Sequence, residues 1–360
     1  MLRYLTAGES HGPCLVGIIE GLPAGLTMDL DAVQRDLRRR QGGYGRGGRQ
    51  AIERDQVEVL SGLRDGRTTG APVALRIPNR DWENVRHHQQ PALTVPRPGH
   101  ADFAGAVKYG LADLRQVAER ASARETAMRV AVGAVAKCLL TTRGASIYSY
   151  VTEIGGVVAS LPALPPAQLH DLAEASPVRC PDALAASAMV QRIDQARQDG
   201  DSLGGCFTVV ATGVPVGLGS YVHWDRRLDG LLAQAIMSIP AIKGVEIGDG
   251  FAAARLRGTE AHDAFEIDAA GRLSRPTNHA GGTEGGVSNG QDIVVHAAMK
   301  PIPTTVTPQR SMDLASMSPA ATRYIRSDVC AVPAASIVGE AMVAWVLAVT
   351  LLERQGGDTL

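Results

Sequence analysis

The densest chemical signal in the sequence is one short run, Arg38-Arg39-Arg40-Gln41-Gly42-Gly43-Tyr44-Gly45-Arg46-Gly47-Gly48-Arg49. Guanidinium groups stay charged and meet phosphate or carboxylate oxygens two at a time. Glycines between them let the backbone approach an anion without a side-chain clash. One reading of the run is a phosphate clamp. The other is a solvated basic face, or an Arg-Gly segment that binds RNA. RNA-binding segments of that kind usually occur in long disordered tracts, whereas this run follows a predicted helix and precedes a predicted strand.

Two histidines have the surroundings of acid–base groups. His11 lies in Gly8-Glu9-Ser10-His11-Gly12, where small neighbours leave it open to a substrate, and His100 lies in the turn Arg97-Pro98-Gly99-His100-Ala101-Asp102. An imidazole titrates near pH 6.5, at about the right place for proton transfer near neutrality. The other histidines have no comparable setting. None forms an H-E-x-x-H pair, so no metal is expected. Arg326-Ser327-Asp328 could aim an arginine and a carboxylate at one site from an extended segment, or could be a surface ion pair. Gly281-Gly282-Thr283-Glu284-Gly285-Gly286 could turn backbone N–H groups toward a flavin or phosphate. Lys300-Pro301-Ile302-Pro303-Thr304 sets a lysine and a hydroxyl beside two stiffening prolines. No Rossmann or P-loop fingerprint accompanies them.

Elements must position these groups. Strands are predicted at 15–20, 57–60 with 73–77, 146–150, 207–211 and 293–297, and helices at 29–40, 122–142, 182–198, 224–238 and 334–352. Residues 81–97 have no clear period and read as a long functional loop. Segment 334–352 is long enough to cross a bilayer, but its alanines and internal Glu340 point to a buried helix. Without regular βαβ spacing, internal repeats or linker composition, the 360 residues form one large domain of mixed α/β (α+β) class, with a flexible tail at 354–360. Aromatics are only 4%, so the core must be built from Ala, Val, Leu and Ile. The net charge of −1 argues against a nucleic-acid or membrane-surface partner. Five scattered cysteines without C-x-x-C spacing read as reduced thiols in the cytoplasm, and residues 1–20 do not read as a signal peptide.

Taken together, these segments resemble the chorismate synthase family nearly end to end, from Thr6-Ala7-Gly8-Glu9-Ser10-His11-Gly12 to Ala331-Val332-Pro333-Ala334-Ala335. Between them stand the arginine–glycine run, RPGHAD with Lys108-Tyr109-Gly110, Ser122-Ala123-Arg124-Glu125-Thr126, Gly244-Val245-Glu246-Ile247-Gly248-Asp249-Gly250-Phe251, the GGTEGG turn and KPIPT. Their number, order and spacing make the resemblance specific. It implies a layered β-α-β sandwich, a homotetramer, and conversion of 5-enolpyruvylshikimate 3-phosphate to chorismate and phosphate by 1,4-anti elimination. It also implies reduced FMN (FMNH2) as cofactor, with NADPH as a candidate reductant. No added flavin-reductase domain is read from the chain, which favours external reduction of the flavin.

Carried over by motif, His11 would protonate the departing phosphate and His100 would stabilise or protonate the flavin. Asp328 would help the flavin N5 accept the substrate's C6 proton. Arg40, Arg46 and Arg49 would bind substrate anions, the first two also matching NADP positions. Cofactor contacts would come from Arg120, Ala121, Ser122, Pro240, Ala241, Gly285, Lys300, Pro301, Ile302, Pro303, Thr304 and Arg326. Two positions depart from the usual pattern. Ala121 stands where many members have serine, and Pro240 where they often have asparagine, so a hydroxyl and a polar contact are lost there.

Overall fold

The computed structural model describes residues 1–48, 53–85, 91–324 and 327–356. Two antiparallel sheets enclose a layer of helices. The first sheet contains β1 (Arg3–Ala7), β2 (Cys14–Glu20), β3 (Glu58–Ser61) and β4 (Val73–Pro78), in the order β1-β2-β4-β3. The second contains β5 (Ser146–Ile154), β6 (Val157–Val158), β7 (Gly205–Thr212), β8 (Ile242–Ile247) and β9 (Ile293–Met299), in the order β8-β9-β7-β5-β6. Burial alternates strictly along β4 and β9, the mark of strands with one face in the core.

The principal helices are α1 (Leu30–Gln41), α2 (Asp102–Tyr109), α3 (Leu114–Arg120), α4 (Thr126–Thr141), α5 (Pro166–Ala175), α6 (Ala183–Gln198), α7 (Leu228–Met237) and α8 (Val332–Gln355). Helix α4 lies against the first sheet and α8 against the second, and the two pack on each other with α1 and α7 beside them. The layered β-α-β sandwich is therefore the architecture. Asp29 caps α1, its carboxylate accepting from Ala32 N–H at 2.9 Å.

The predicted strands and helices are present, several with different ends. The helix expected at 122–142 begins with a tighter turn, Ala123–Glu125, capped by Ser122. The one expected at 224–238 splits into a turn at Trp224–Arg226 and α7, because Arg227 is extended (φ −67°, ψ 127°). The expected loop at 81–97 contains a helical turn, Trp82–Val85, while 86–90 lie outside the described residues. Residues 354 and 355, expected in the tail, belong to α8, and 357–360 lie outside the described residues.

Few aromatics leave the layers thin, and glycine sets their spacing. A Cβ on Gly17 would lie 2.6 Å from Met128 Sδ, between the first sheet and α4. On Gly133 it would lie 2.4 Å from Ala341 Cα, between α4 and α8, and on Gly339 2.7 Å from the Phe207 ring, between α8 and the second sheet. Among the described residues one helix, Val332–Arg354, is long and apolar enough to cross a membrane, but 89% of its most apolar window is buried inside the chain.

In mid-helix sits Glu340, with no exposure. Arg39 grips its carboxylate at 2.8 and 2.9 Å, Lys137 at 2.6 Å, and Ser149 donates at 2.6 Å. Arg179 lies 3.5 Å away and also pairs with Glu174. Asp36 and Glu174 complete the balance, each 2.7 Å from Arg39. Burial alone would raise the Glu340 carboxyl, but Lys137 and Arg39 hold it well below its usual range.

Two outcomes are expected. Alanine is a better helix former than glycine by about 1 kcal/mol, yet Gly133→Ala should still destabilise the protein, by about 1–3 kcal/mol in urea unfolding, because the new methyl meets backbone that cannot yield. Burial would raise Glu174, but Arg39 and Arg179 pull it down to about 2. A carboxylate depressed in the folded state contributes stability above its unfolded pKa and loses it as pH falls through the folded value. Acid unfolding curves should therefore separate wild type from Glu174→Gln near pH 6 and converge by about pH 2.

Candidate active site

Residues 120–126 join the parts of the site. Arg120 ends α3, and its guanidinium donates to Thr6 O and Oγ1, both at 3.0 Å, anchoring β1 just before the loop that carries His11. Arg124 is buried; its Nε donates to Asn79 Oδ1 at 2.9 Å and its Nη1 to Asp55 at 2.6 Å. The Asn79 amide in turn donates to Gly12 O at 2.8 Å and Glu9 O at 3.1 Å, spanning the base of the His11 loop. His11 itself is partly exposed. Its Nδ1 lies 2.7 Å from Glu119 Oε1, and its backbone N–H donates to Glu119 Oε2 at 2.5 Å.

On the other side of the segment, Arg40 is buried. It donates to Thr126 Oγ1 at 2.9 Å and Ala123 O at 2.8 Å, with Asp55 at 3.8 Å. Burial pushes Arg40 down to about 9; Asp55 opposes this, while Arg46 and Arg124 reinforce it. Arg40 is thus a strut bonded within the chain rather than an open clamp. Arg46 Nη1 donates to Asp328 Oδ2 at 2.6 Å, and Gly47 N–H to Asp328 Oδ1 at 2.6 Å. Val329 N–H donates to Gly45 O at 2.8 Å, so the arginine–glycine loop and the Asp328 segment run side by side. The partner of Asp328 is therefore Arg46, distant in sequence. Arg326 and Arg49 lie outside the described residues. The buried Arg46 Nε has no hydrogen-bond partner among the described residues.

His100 stands in a third group. Its Nδ1 is 2.6 Å from Asp102 Oδ1, and Arg97 holds the same carboxylate at 2.8 and 2.9 Å. Asp102 has no exposure; burial would raise its carboxyl, but His100 and Arg97 keep it well below the usual range. Thr304 Oγ1 accepts from Arg97 at 3.2 Å, and Lys300 Nζ donates to Gly99 O at 2.5 Å. Lys300 N–H also donates to Ala241 O at 2.9 Å, and Ile302 O accepts from Ser202 at 2.7 Å. The Lys300–Pro301–Ile302–Pro303–Thr304 segment therefore joins the His100 turn to residue 241, where Ala241 has a left-handed φ of +69°.

A cleft of about 460 Å³ is lined by Tyr4, Thr6, Arg120, Ala121, Ser122 and Pro240, with Glu125 and Arg129 among its charged walls. Its size falls in the usual range for small-molecule sites, about 300–1,000 Å³. Gly285 is not among its lining residues. Gly285 and Gly286 (φ +60° and +85°) form the tight turn of a small hairpin, Thr283–Glu284 with Val287–Ser288, and that turn explains the glycine pair. A second cleft, about 310 Å³ and lined by residues such as Gln34, Arg54 and Arg80, shares no lining residue with the first. Among the described residues, no three His, Cys, Asp or Glu side chains group closely enough to hold a metal ion.

Sequence reading did not single out Glu119, Asn79, Asp55 or Arg124. Only Asp102 had a local signal, its spacing of two from His100; the others meet their partners through the fold.

A family model described as chorismate synthase matches residues 2–352. This chain belongs to the chorismate synthase family. It is 56% identical to the chorismate synthase of Desulforudis audaxviator (strain MP104C) over 100% of this chain and 95% of that protein. The Symbiobacterium thermophilum protein of the same name is 55% identical, over 100% and 96%. A crystal structure of a chorismate synthase superposes with a TM-score of 0.82 at 46% identity, covering 99% of this chain and 94% of that one. The family's enzymes are carbon–oxygen lyases of the shikimate pathway, which feeds aromatic amino acid biosynthesis, and they use reduced flavin.

Arg124→Met should destabilise the protein by about 3–5 kcal/mol in urea unfolding, since it leaves Asp55 buried without its closest cation. A loss below about 0.5 kcal/mol would show that the Asp55–Arg124 contact does not brace the site.

Proposed function

We propose that this chain converts 5-enolpyruvylshikimate 3-phosphate to chorismate and inorganic phosphate by 1,4-anti elimination, using the site built around residues 120–126. The observation that carries this reading is the His11 ring in the grip of Glu119, the residue before Arg120, whose segment lines the cleft. His11 and Glu119 do not line the cleft themselves; the helix end that holds His11 runs on into the residues that do.

The cleft residues Arg120, Ala121, Ser122 and Pro240 fit a flavin, with Ala241 and the Lys300–Thr304 segment joined to its rim. Ala121 offers only backbone, and Pro240 offers no N–H. Reduced FMN supplies, when bound, the electron density that lets an unactivated C–H and C–O bond break without net redox change. The chain's residues handle the protons and charge. His11 gives a proton to the departing phosphate. Asp328, ion-paired with Arg46 and bonded to Gly47 N–H, holds a carboxylate that would assist removal of the C6 proton. His100, backed by Asp102, supports the reduced cofactor. Arg46 and Arg49 meet the substrate's anionic groups, and Arg40 braces the loop that carries them. Closure of such a site against water strengthens each of these contacts.

We further propose a cytoplasmic homotetramer without nucleic-acid or membrane partners, its flavin reduced from outside with NADPH as candidate reductant. Exposed Ile18 on the first sheet, and Tyr221, Val222 and Trp224, support self-association.

A general acid contributes typically about 10²–10⁴ in rate, so His11→Ala should lose turnover by that order while its affinity for reduced FMN, measured by anaerobic fluorescence titration, stays within about twofold. Unchanged turnover would remove His11 from the acid role.

A further inference from the structure

The two histidines share a feature that the reaction alone does not require. Each meets a carboxylate through Nδ1, His11 with Glu119 at 2.7 Å and His100 with Asp102 at 2.6 Å. Both carboxylates belong to one helical hairpin. Asp102 is the first residue of α2 and Glu119 the next to last of α3. The two helices are joined by Gly110-Leu111-Ala112-Asp113 and touch where a Cβ on Gly105 would lie 2.5 Å from Val117 Cγ1. Gly110 makes the reversal possible with φ +65°, donating to Ala106 O. Folding α3 back on α2 at that contact brings the start of α2 and the end of α3 to the same end of the hairpin.

We infer that the α2–α3 hairpin is a single positioning device, in which Asp102 and Glu119 hold His100 and His11 as Nδ1–H donors so that Nε2 of each ring is the nitrogen that exchanges a proton with bound ligands. At 2.6–2.7 Å from an ionised oxygen, an Nδ1 without a proton would set lone pair against lone pair. Arg97 keeps Asp102 ionised through two contacts, and its Nη2, 3.1 Å from His100 Nδ1, is then a neighbouring cation and not a donor to the ring. Glu119 is fixed from its other side, since its second oxygen accepts from His11 N–H and its own carbonyl accepts from Ser10 N–H at 3.1 Å. Ring, loop and helix end therefore move as one unit. When the doubly protonated His11 ring gives up its Nε2 proton, it becomes neutral with Nδ1–H still on Glu119, and no second proton movement is needed. Glu119 and Asp102 touch neither substrate nor cofactor in this scheme; they act through the rings.

The inference rests on the proposed roles of His11 and His100, and its test separates the two. Ring ¹⁵N–¹H correlation spectra of the full-length protein above pH 8, with His11→Ala and His100→Ala assigning the signals, should show both neutral rings as the Nδ1–H form, which free histidine populates as the minor species. Glu119→Gln should shift the His11 ring toward the Nε2–H form and lower kcat by about 10–10²-fold, and Asp102→Asn should do the same to His100, by up to about 10⁴-fold as in other histidine–aspartate pairs. Reduced-FMN affinity and Tm should stay near wild type for Glu119→Gln. An Nε2–H form at either ring in the wild type overturns the inference whatever the activity. Nδ1–H rings with fully active histidine-to-alanine variants would leave the positioning intact and remove the catalytic roles.

Discussion

The structure turns on one charge that has been taken out of water. Glu340 lies with no exposure in the middle of the long apolar helix α8. An isolated carboxylate there would cost far more than a domain's net stability, so the fold must bring cations to it. Arg39 comes from α1, Lys137 from α4 and Arg179 from the loop before α6, while Ser149 of β5 adds a hydroxyl. One side chain therefore sets the relation of three helices, a loop and the second sheet. Arg179 accepts a left-handed φ of +59° to reach it, a conformation that costs about 1–2 kcal/mol for a residue with a Cβ. Removing one cation would leave the rest uncompensated, which is why such clusters fix geometry more than they add stability.

The same cluster reaches the active site by one residue. Arg39 is locked into it, and Arg40, next on α1, points its donors at Ala123 and Thr126. From there, bonds run through Arg124 and Asn79 to the His11 loop, and the arginine–glycine loop that follows α1 runs to Asp328. The catalytic groups thus hang on a frame of buried ion pairs whose members are not themselves reactive. A chain with few aromatics gains rigidity in this way, because its thin alanine and glycine layers leave little bulk to lock the elements against one another.

Much of this was legible in the sequence, and what was missed has physical reasons. Strands β2, β4, β7 and β9 announced themselves by apolar runs, α4 and α8 by length and alanine content, and α1 by its Asp29 cap. Strand β1 was not seen because exposed Leu5 and half-buried Thr6 break the apolar-in, polar-out alternation by which a strand is read. Helices α2 and α3 were missed because each has at most eight residues, too few turns for a period to emerge. Histidines 11 and 100 stood out by their glycine neighbours. Their partner carboxylates did not, since Glu119 meets His11 only after a hairpin and a strand have folded. The arginine run reads equally as an anion clamp or a solvated basic face, whereas Arg39 and Arg40 are committed to the interior. Charge density along a sequence does not tell which arginines will find carboxylates.

The central claim, that this frame serves a phosphate-eliminating lyase that borrows a reduced flavin without consuming it, is tested most directly by anaerobic turnover of 5-enolpyruvylshikimate 3-phosphate with dithionite-reduced FMN, following chorismate, phosphate and flavin absorbance together. Equal release of chorismate and phosphate over many turnovers, with the flavin still reduced at the end, is the predicted result. Folded protein that binds reduced FMN yet releases no phosphate, or turnover that oxidises one flavin per product, would contradict it.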